Sequence, residues 1–308
     1  MEGNPTMRKN IAILSILATS LMSYAATAQT EAAAPPEGAP PVLDSAPSAA
    51  PAAAPEAAAP AAAPAAAPAG SSEYALRSLT LSAGTFQGTL PIVLNLSKSA
   101  VLKPVWIPLD LRFGVTNELD VFVNHSTPGG SLAEGAGVCI GGTKRGCTKF
   151  YNNVNIGGQY SLLKSSGVEL AGMLALVLAP LDPMWVSIDV GVGVKYVAAP
   201  VSVKLAPQIV IGATHRGDGN KQTIVVPLTI AVQAAPQIAV FLDSGISGPT
   251  DKFGDNYAVP VGIGASYLAM PALDVGLEFM APRILTGEKG DKAFDARMLM
   301  VFASWRSQ

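Results

Sequence analysis

The chain has 308 residues, a formal net charge of -2 and only 14% charged residues, against roughly 25% in an ordinary soluble domain. Nearly half of it (49%) is apolar, yet beyond the N-terminal leader no stretch of about 18 residues lacks Pro, Gly and charge, which argues against a helical membrane span. The near-neutral charge argues against nucleic acid as a partner.

In chain order, Met7-Arg8-Lys9-Asn10 and the apolar run Ile11 to Met22 read as a signal peptide ending at Ala26-Thr27-Ala28, so that residues 1–28 are leader and the six before Met7 an upstream start. An uncleaved N-terminal anchor is the alternative. Residues 29–72 are almost wholly Ala and Pro, with Glu31, Glu37 and Glu56 as the main charges. Pro at about every fourth position prevents a continuous helix and favours extended chain. At ~3.1 Å per residue this linker reaches on the order of 100 Å, enough to approach peptidoglycan; a plain spacer is the other reading.

Residues 73–308 read as the folded part. Along Val186-Ser187-Ile188-Asp189-Val190-Gly191-Val192-Gly193-Val194-Lys195-Tyr196 one face is apolar and the other is polar or small. A soluble sandwich hides such an apolar face, whereas a membrane strand turns it to lipid and needs about 9–11 residues to cross. Similar runs predict about twelve strands, near 88–98, 104–115, 118–126, 152–164, 168–180, 184–198, 200–213, 222–234, 236–245, 257–269, 272–282 and 294–306. Residues 74–87 do not fit this count and read as an extra strand, an inserted plug or a lead on the inner side of the membrane.

The connections alternate in length. Thr116-Asn117-Glu118, Ser165-Ser166-Gly167, Ala199-Pro200, Ala234-Ala235-Pro236 and Met270-Pro271-Ala272 are tight, while 127–151, 215–221, 248–256 and 286–292 are longer and polar. Short turns on one side and long loops on the other mark outer-membrane barrels, and an even strand number puts both termini in the periplasm. In the tenth strand Tyr257, Val259, Val261, Ile263, Ala265 and Tyr267 share a face. Ten residues at ~3.4 Å, tilted by about 40°, cover roughly 26 Å, close to the ~25 Å apolar band between aromatic girdles. Phe113, Tyr196, Phe279 and Phe294 also fall near strand ends on outward faces.

On this pattern the chain resembles the bacterial outer-membrane β-barrels of the single-chain, even-stranded, porin-like kind. The resemblance covers about two-thirds of the chain and rests on alternation and loop asymmetry, not on a residue motif. It implies an all-β up-and-down antiparallel barrel in the outer membrane of a Gram-negative cell, in contact with its lipids and lipopolysaccharide and placed there by the barrel-assembly machinery. Many such barrels end on an aromatic residue; here Phe302 and Trp305 are followed by Arg306-Ser307-Gln308.

The alternation assigns the acids Asp110, Asp120, Glu169, Asp189, Asp243, Asp274, Glu278 and Asp295 and the bases Arg112, Lys195, Lys204 and Arg297 to the inward face. With the long loops outside, Asp110, Asp189, Asp243, Glu278 and Asp295 form an acidic outer half opposed by Arg297, above an inner zone of mixed sign. Such a vestibule concentrates cations; a lumen closed by salt bridges is the alternative. Twelve strands lie between a filled eight-strand barrel and an open sixteen-strand one, and the inward Gly191, Gly193, Gly262, Gly264 and Gly276 either leave room for a path or let the strands bend.

Cys139 and Cys147, the only cysteines, predict a disulfide that pins a basic surface tip, Gly141 to Gly146, available to lipopolysaccharide. Neither a metal-ligand set nor a cofactor motif is predicted. His125 and His215 are the only histidines; Ser126 beside His125 points to the opposite face of its strand, and no Gly-x-Ser-x-Gly elbow is present. The sequence thus predicts no catalytic residue. It supports a narrow channel for passive passage of small solutes, weakly cation-preferring, with a non-conducting barrel that displays its loops as the rival and a hydrolase as a distant third.

Overall fold

The computed structural model describes residues 73–97, 101–125, 137–141, 147, 149–165, 167–287 and 294–307. The expected signal peptide (1–28), linker (29–72) and basic tip residues (142–146) lie outside the described residues.

Period-2 alternation yields twelve antiparallel strand positions. They are β1 (Phe86–Asn95), β2 (Val105–Ile107 and Asp110–Gly114), β3 (Leu119–Asn124, continued by Val138–Ile140), β4 (Val154–Ser165), β5 (Val168–Leu181) and β6 (Met184–Ala198). There follow β7 (Val201–Leu205 and Gln208–Gly212), β8 (Gln222–Ala235), β9 (Ile238–Pro249), β10 (Ala258–Met270), β11 (Leu273–Thr286) and β12 (Met298–Arg306). Each position pairs with its sequence neighbours, and β12 returns to pair with β1 from Gln87↔Arg306 to Asn95↔Met298, closing the cylinder. Closure satisfies every edge, as hydrocarbon requires.

The breaks have causes. Pro108 and Pro207 interrupt β2 and β7, because proline carries no ladder N–H. Opposite Pro227 of β8 stands Gly245 of β9, at φ +154°, where a Cβ would meet the Val226 carbonyl at 2.6 Å. In β3, Val138–Ile140 pairs with Val105–Ile107 just beyond the stretch where Leu119–Asn124 pairs with Asp110–Gly114, so it takes the far end of the same position.

The two faces separate as the alternation demands. In β6, Val190, Val192 and Val194 are 43%, 40% and 37% exposed on the outside, whereas Asp189 and Lys195 on the inside are 0% and 6% exposed. Leu90, Leu174, Leu242, Ile263, Leu277 and Val301 extend the exposed apolar belt around the cylinder. That belt is a lipid-facing surface, and the cylinder is a transmembrane barrel. Connections at 115–118, 166–167, 199–200, 236–237 and 271–272 mark a short-turn end, which also holds the starts of β1 and the end of β12. The opposite, long-loop end holds 96–104, 213–221, 250–257 and 287–297, with 182–183 its one short link.

Candidate functional site: the lumen

The lumen has a floor, a chamber and a mouth at the long-loop end. The floor is made by residues 73–82, which precede β1 and cross the short-turn end inside the cylinder; of the three readings of this segment, the inserted plug is what the structure holds. A single 3-10 turn, Tyr74–Leu76, opens it. Ala75 N donates to Gln233 Oε1 of β8 (3.1 Å), Leu79 N to Glu169 Oε2 of β5 (2.6 Å) and Leu81 N to Asp120 Oδ2 of β3 (3.0 Å). In the other direction the Lys195 ammonium donates to the Arg77 carbonyl, and Arg112 (2.9 Å) and Gln159 (3.3 Å) donate to that of Leu79. Arg77 makes a two-pronged pair with Asp274, at 2.6 and 2.8 Å, and Arg112 also binds Asp120 at 2.7 Å. Apolar contacts complete the seat: Tyr74 stacks on Phe241 at 5.5 Å, and Ala75 packs with Ala231, Phe241 and Phe302.

Above this floor lies a chamber of about 470 Å³, bounded by Tyr74, Arg77 and Leu79 below and by inward residues of the wall. Asp110, Asp243, Glu278, Arg112 and Lys204 line it. Arg77 and Arg112 each bind a floor carboxylate, while Lys204 lies on the same stretch of wall as Asp243, the two flanking Thr229 from β7 and β9. Lys204 is exposed although it points inward, so the lumen holds open space at its level. Asp243 accepts the Thr229 hydroxyl at 2.5 Å, and Asp110 accepts the His125 backbone N–H at 2.8 Å. Glu278 is 2% exposed, and its Oε1 has no hydrogen-bond partner among the described residues.

At the long-loop mouth the predicted Cys139–Cys147 disulfide is formed. Both sulfurs are buried with Val93, Trp106 and Met298, residues of the inner wall. The disulfide itself is therefore anchored to the inner wall, while residues 142–146 of the predicted surface tip lie outside the described residues.

No family model matches the chain, and no curated protein matches it in sequence. Among solved structures, the NanC porin superposes with a TM-score of 0.52 at 7% identity, over 71% of this chain and 98% of its own. An outer membrane channel from Pseudomonas putida F1 superposes with a TM-score of 0.50 at 10% identity, over 74% of this chain and 97% of its own. The chain has the fold of an outer-membrane β-barrel.

Within this barrel the predicted lumen residues divide among levels. Asp110, Arg112, Lys204, Asp243 and Glu278 share the chamber. Lys195 belongs to the floor, with Asp120, Glu169 and Asp274. Asp189 does not line the chamber: it is sealed in the wall between Ala175 of β5 and Val210 of β7, both its oxygens without a hydrogen-bond partner among the described residues. Asp295 and Arg297, expected on the inward face of the twelfth strand, lie ahead of it. β12 begins at Met298, and its buried positions Met298, Phe302 and Ser304 set an even-numbered inward face, opposite in parity to those two charges. Asp295 is exposed, and Arg297 is held by its backbone to Leu96 and Ser97.

The aromatic residues separate similarly. Phe113, Tyr196 and Tyr267 point outward near short turns, joined by Trp305, which packs on Phe86 at 5.9 Å. Phe279 is outward near mid-strand, Tyr257 stands one residue before β10 and stacks on Phe253 at 6.2 Å, and Phe294 sits in the loop before β12 at φ +68°. His125 has its ring nitrogens against the Leu109 carbonyl and the Tyr151 hydroxyl, and His215 stacks on Trp185. Sequence reasoning missed Arg77, Gln159, Gln233 and Phe241 as lumen residues. Parity alone would have placed the last three inside; nothing local marks Arg77.

Proposed function

We propose that this barrel is a porin-like channel in the bacterial outer membrane, for passive passage of small solutes and weakly cation-preferring, with its short-turn end and both termini on the periplasmic side. The observation that carries the reading is the polar chamber inside a closed, lipid-facing cylinder, lined by Asp110, Asp243, Glu278 and Lys204, while Arg77 and Arg112 bind floor carboxylates. A unit charge about 7 Å away in water is worth ~0.6 kcal/mol, roughly threefold in local ion concentration. A carboxylate that opens onto the chamber, as Asp243 does, therefore has a measurable effect on which ions enter.

The test is single-channel recording in a planar bilayer under a salt gradient. The expected result is discrete steps with a cation-biased reversal potential. Asp243→Asn moves that potential towards zero, about eightfold in cation-to-anion permeability ratio, because cations and anions respond oppositely, and Glu278→Gln, at a buried side chain, moves it less. A folded barrel that gives no steps, in the intact chain and in a chain lacking residues 73–82 alike, overturns the reading. It would favour instead a non-conducting barrel that displays its outer loops, a second reading supported by the segment across the lumen.

A further inference from the structure

We infer that the short-turn mouth is a binding ring for a polypeptide segment, that residues 74–81 occupy it in cis, and that their release opens the lumen. Only the last clause rests on the channel reading.

The segment is not part of the cylinder. β1 starts at Phe86 and is paired with β12 from Gln87 to Asn95, so the barrel closes without any residue before it. Nor does the ring recognise the segment mainly through its side chains. Carboxylates and an amide oxygen of the wall accept backbone N–H groups at Ala75, Leu79 and Leu81, while Lys195, Arg112 and Gln159 donate to the backbone carbonyls of Arg77 and Leu79. Acceptors and donors of the ring are thus matched to backbone N–H and C=O groups of the segment. Arg77 supplies the segment's charged contact with the ring, through Asp274, and Tyr74 its aromatic one, on Phe241.

The same ring has a second set of partners for its charges. Glu169 and Lys195 are direct cross-strand partners on β5 and β6. Arg112 already binds Asp120. Asp274 of β11 stands opposite Ser304 of β12, two residues from Arg306. Each floor acid thus has a base on the adjoining strand. Loss of one member of a buried pair is costly when the other charge is left uncompensated; here withdrawal of the segment lets the charges exchange partners. An element with two discrete, internally satisfied arrangements is what a switch requires.

The experiment compares, in planar bilayers, the intact chain, the same chain lacking residues 73–82, Arg77→Glu, and Arg77→Glu combined with Asp274→Arg; folding of each is checked by heat-modifiable gel mobility. The deletion and Arg77→Glu are expected to raise the open fraction at least tenfold, and the double reversal to return it to the intact level. A synthetic peptide of residues 73–82, added on the short-turn side, is expected to close the deletion chain. Equal conductance in all four chains, with no effect of the peptide, overturns the inference and leaves the channel reading standing. Silence in all four overturns the channel reading instead, and binding of the fluorescent peptide to the deletion chain then decides the ring. Micromolar binding weakened at least tenfold by Asp274→Asn and Glu169→Gln upholds it; no binding, or binding indifferent to both substitutions, overturns it.

Discussion

The phenyl ring of Phe302 lies where a side chain on Gly276 would stand: a Cβ there would be 2.3 Å from its Cζ and 2.6 Å from the Ala265 carbonyl. Gly264 makes the same room for Phe241, and Gly262 for the Glu278 carboxylate. Three of the inward glycines that the sequence offers as candidates for pore width, Gly262, Gly264 and Gly276, are thus covered by side chains of adjoining strands and shape the wall, whereas Gly193 lines the chamber. Because the Ala265 contact is with backbone, it cannot be relieved by a rotamer change. Gly276→Ala is therefore expected to lower stability by about 1–3 kcal/mol, the usual cost of overpacking, which exceeds the gain of about 0.5–1 kcal/mol from removing a strand glycine. Urea unfolding in lipid vesicles measures this, and truncation of the ring in Gly276→Ala with Phe302→Leu should recover part of it. An unchanged midpoint for the single variant would remove the steric argument. Side-chain direction was legible wherever alternation was strong, as in β6, and failed in β12, where the charges of Asp295 and Arg297 suggest one parity and the packing of Met298 and Phe302 imposes the other.

At the scale of elements, twelve strands and their short turns follow from alternation, a local property that survives in a single sequence. The floor does not, because residues 73–82 carry no period and their partners stand 39 residues away (Leu81 to Asp120), 90 (Leu79 to Glu169) or 197 (Arg77 to Asp274). The long-loop end is tied across strands by two exposed ion pairs, Lys149–Asp182 at 2.6 Å and Lys221–Asp251 at 2.8 Å. In each, the hydrogen bond from the lysine holds the aspartate below its ordinary value of 3.8, with the lysine's charge as the second cause. A carboxyl depressed in the folded state contributes stability above its unfolded value and loses it as pH falls through the folded one. Both ties are therefore present at neutral pH and are lost in acid, below the ordinary aspartate range. Carboxyl-carbon NMR titration should give midpoints below 3.8 for Asp182 and Asp251, and Lys149→Ala should return that of Asp182 to the ordinary value. A midpoint at 3.8 or above in the unmodified chain would show that the pairs do not hold in solution.

For the whole molecule, the deciding contrast is between two apolar environments that composition alone does not distinguish: the interior of a soluble barrel and the hydrocarbon around a membrane one. The structure separates them by inversion, with Asp120, Asp189, Asp274 and Glu278 buried inside while Val192, Leu242, Ile263 and Leu277 are exposed outside. In water that arrangement would leave a continuous apolar belt uncovered, far beyond the few hundred Å² a soluble monomer tolerates; in a bilayer it is the favourable one. The two surfaces should accordingly respond oppositely to the same charge. Val192, midway along β6 and outward, is expected to lose about 2–4 kcal/mol on substitution by Arg, the cost of a basic residue near the bilayer midplane. Thr229, midway along β8 and lining the chamber beside Asp243, should accept Arg with a change under about 1 kcal/mol, since water and a carboxylate are there to meet it. Unfolding free energies of the two variants in vesicles measure the difference directly. Equal penalties would mean that the chamber is as dry as the lipid face, and the lumen would then have to be a sealed core.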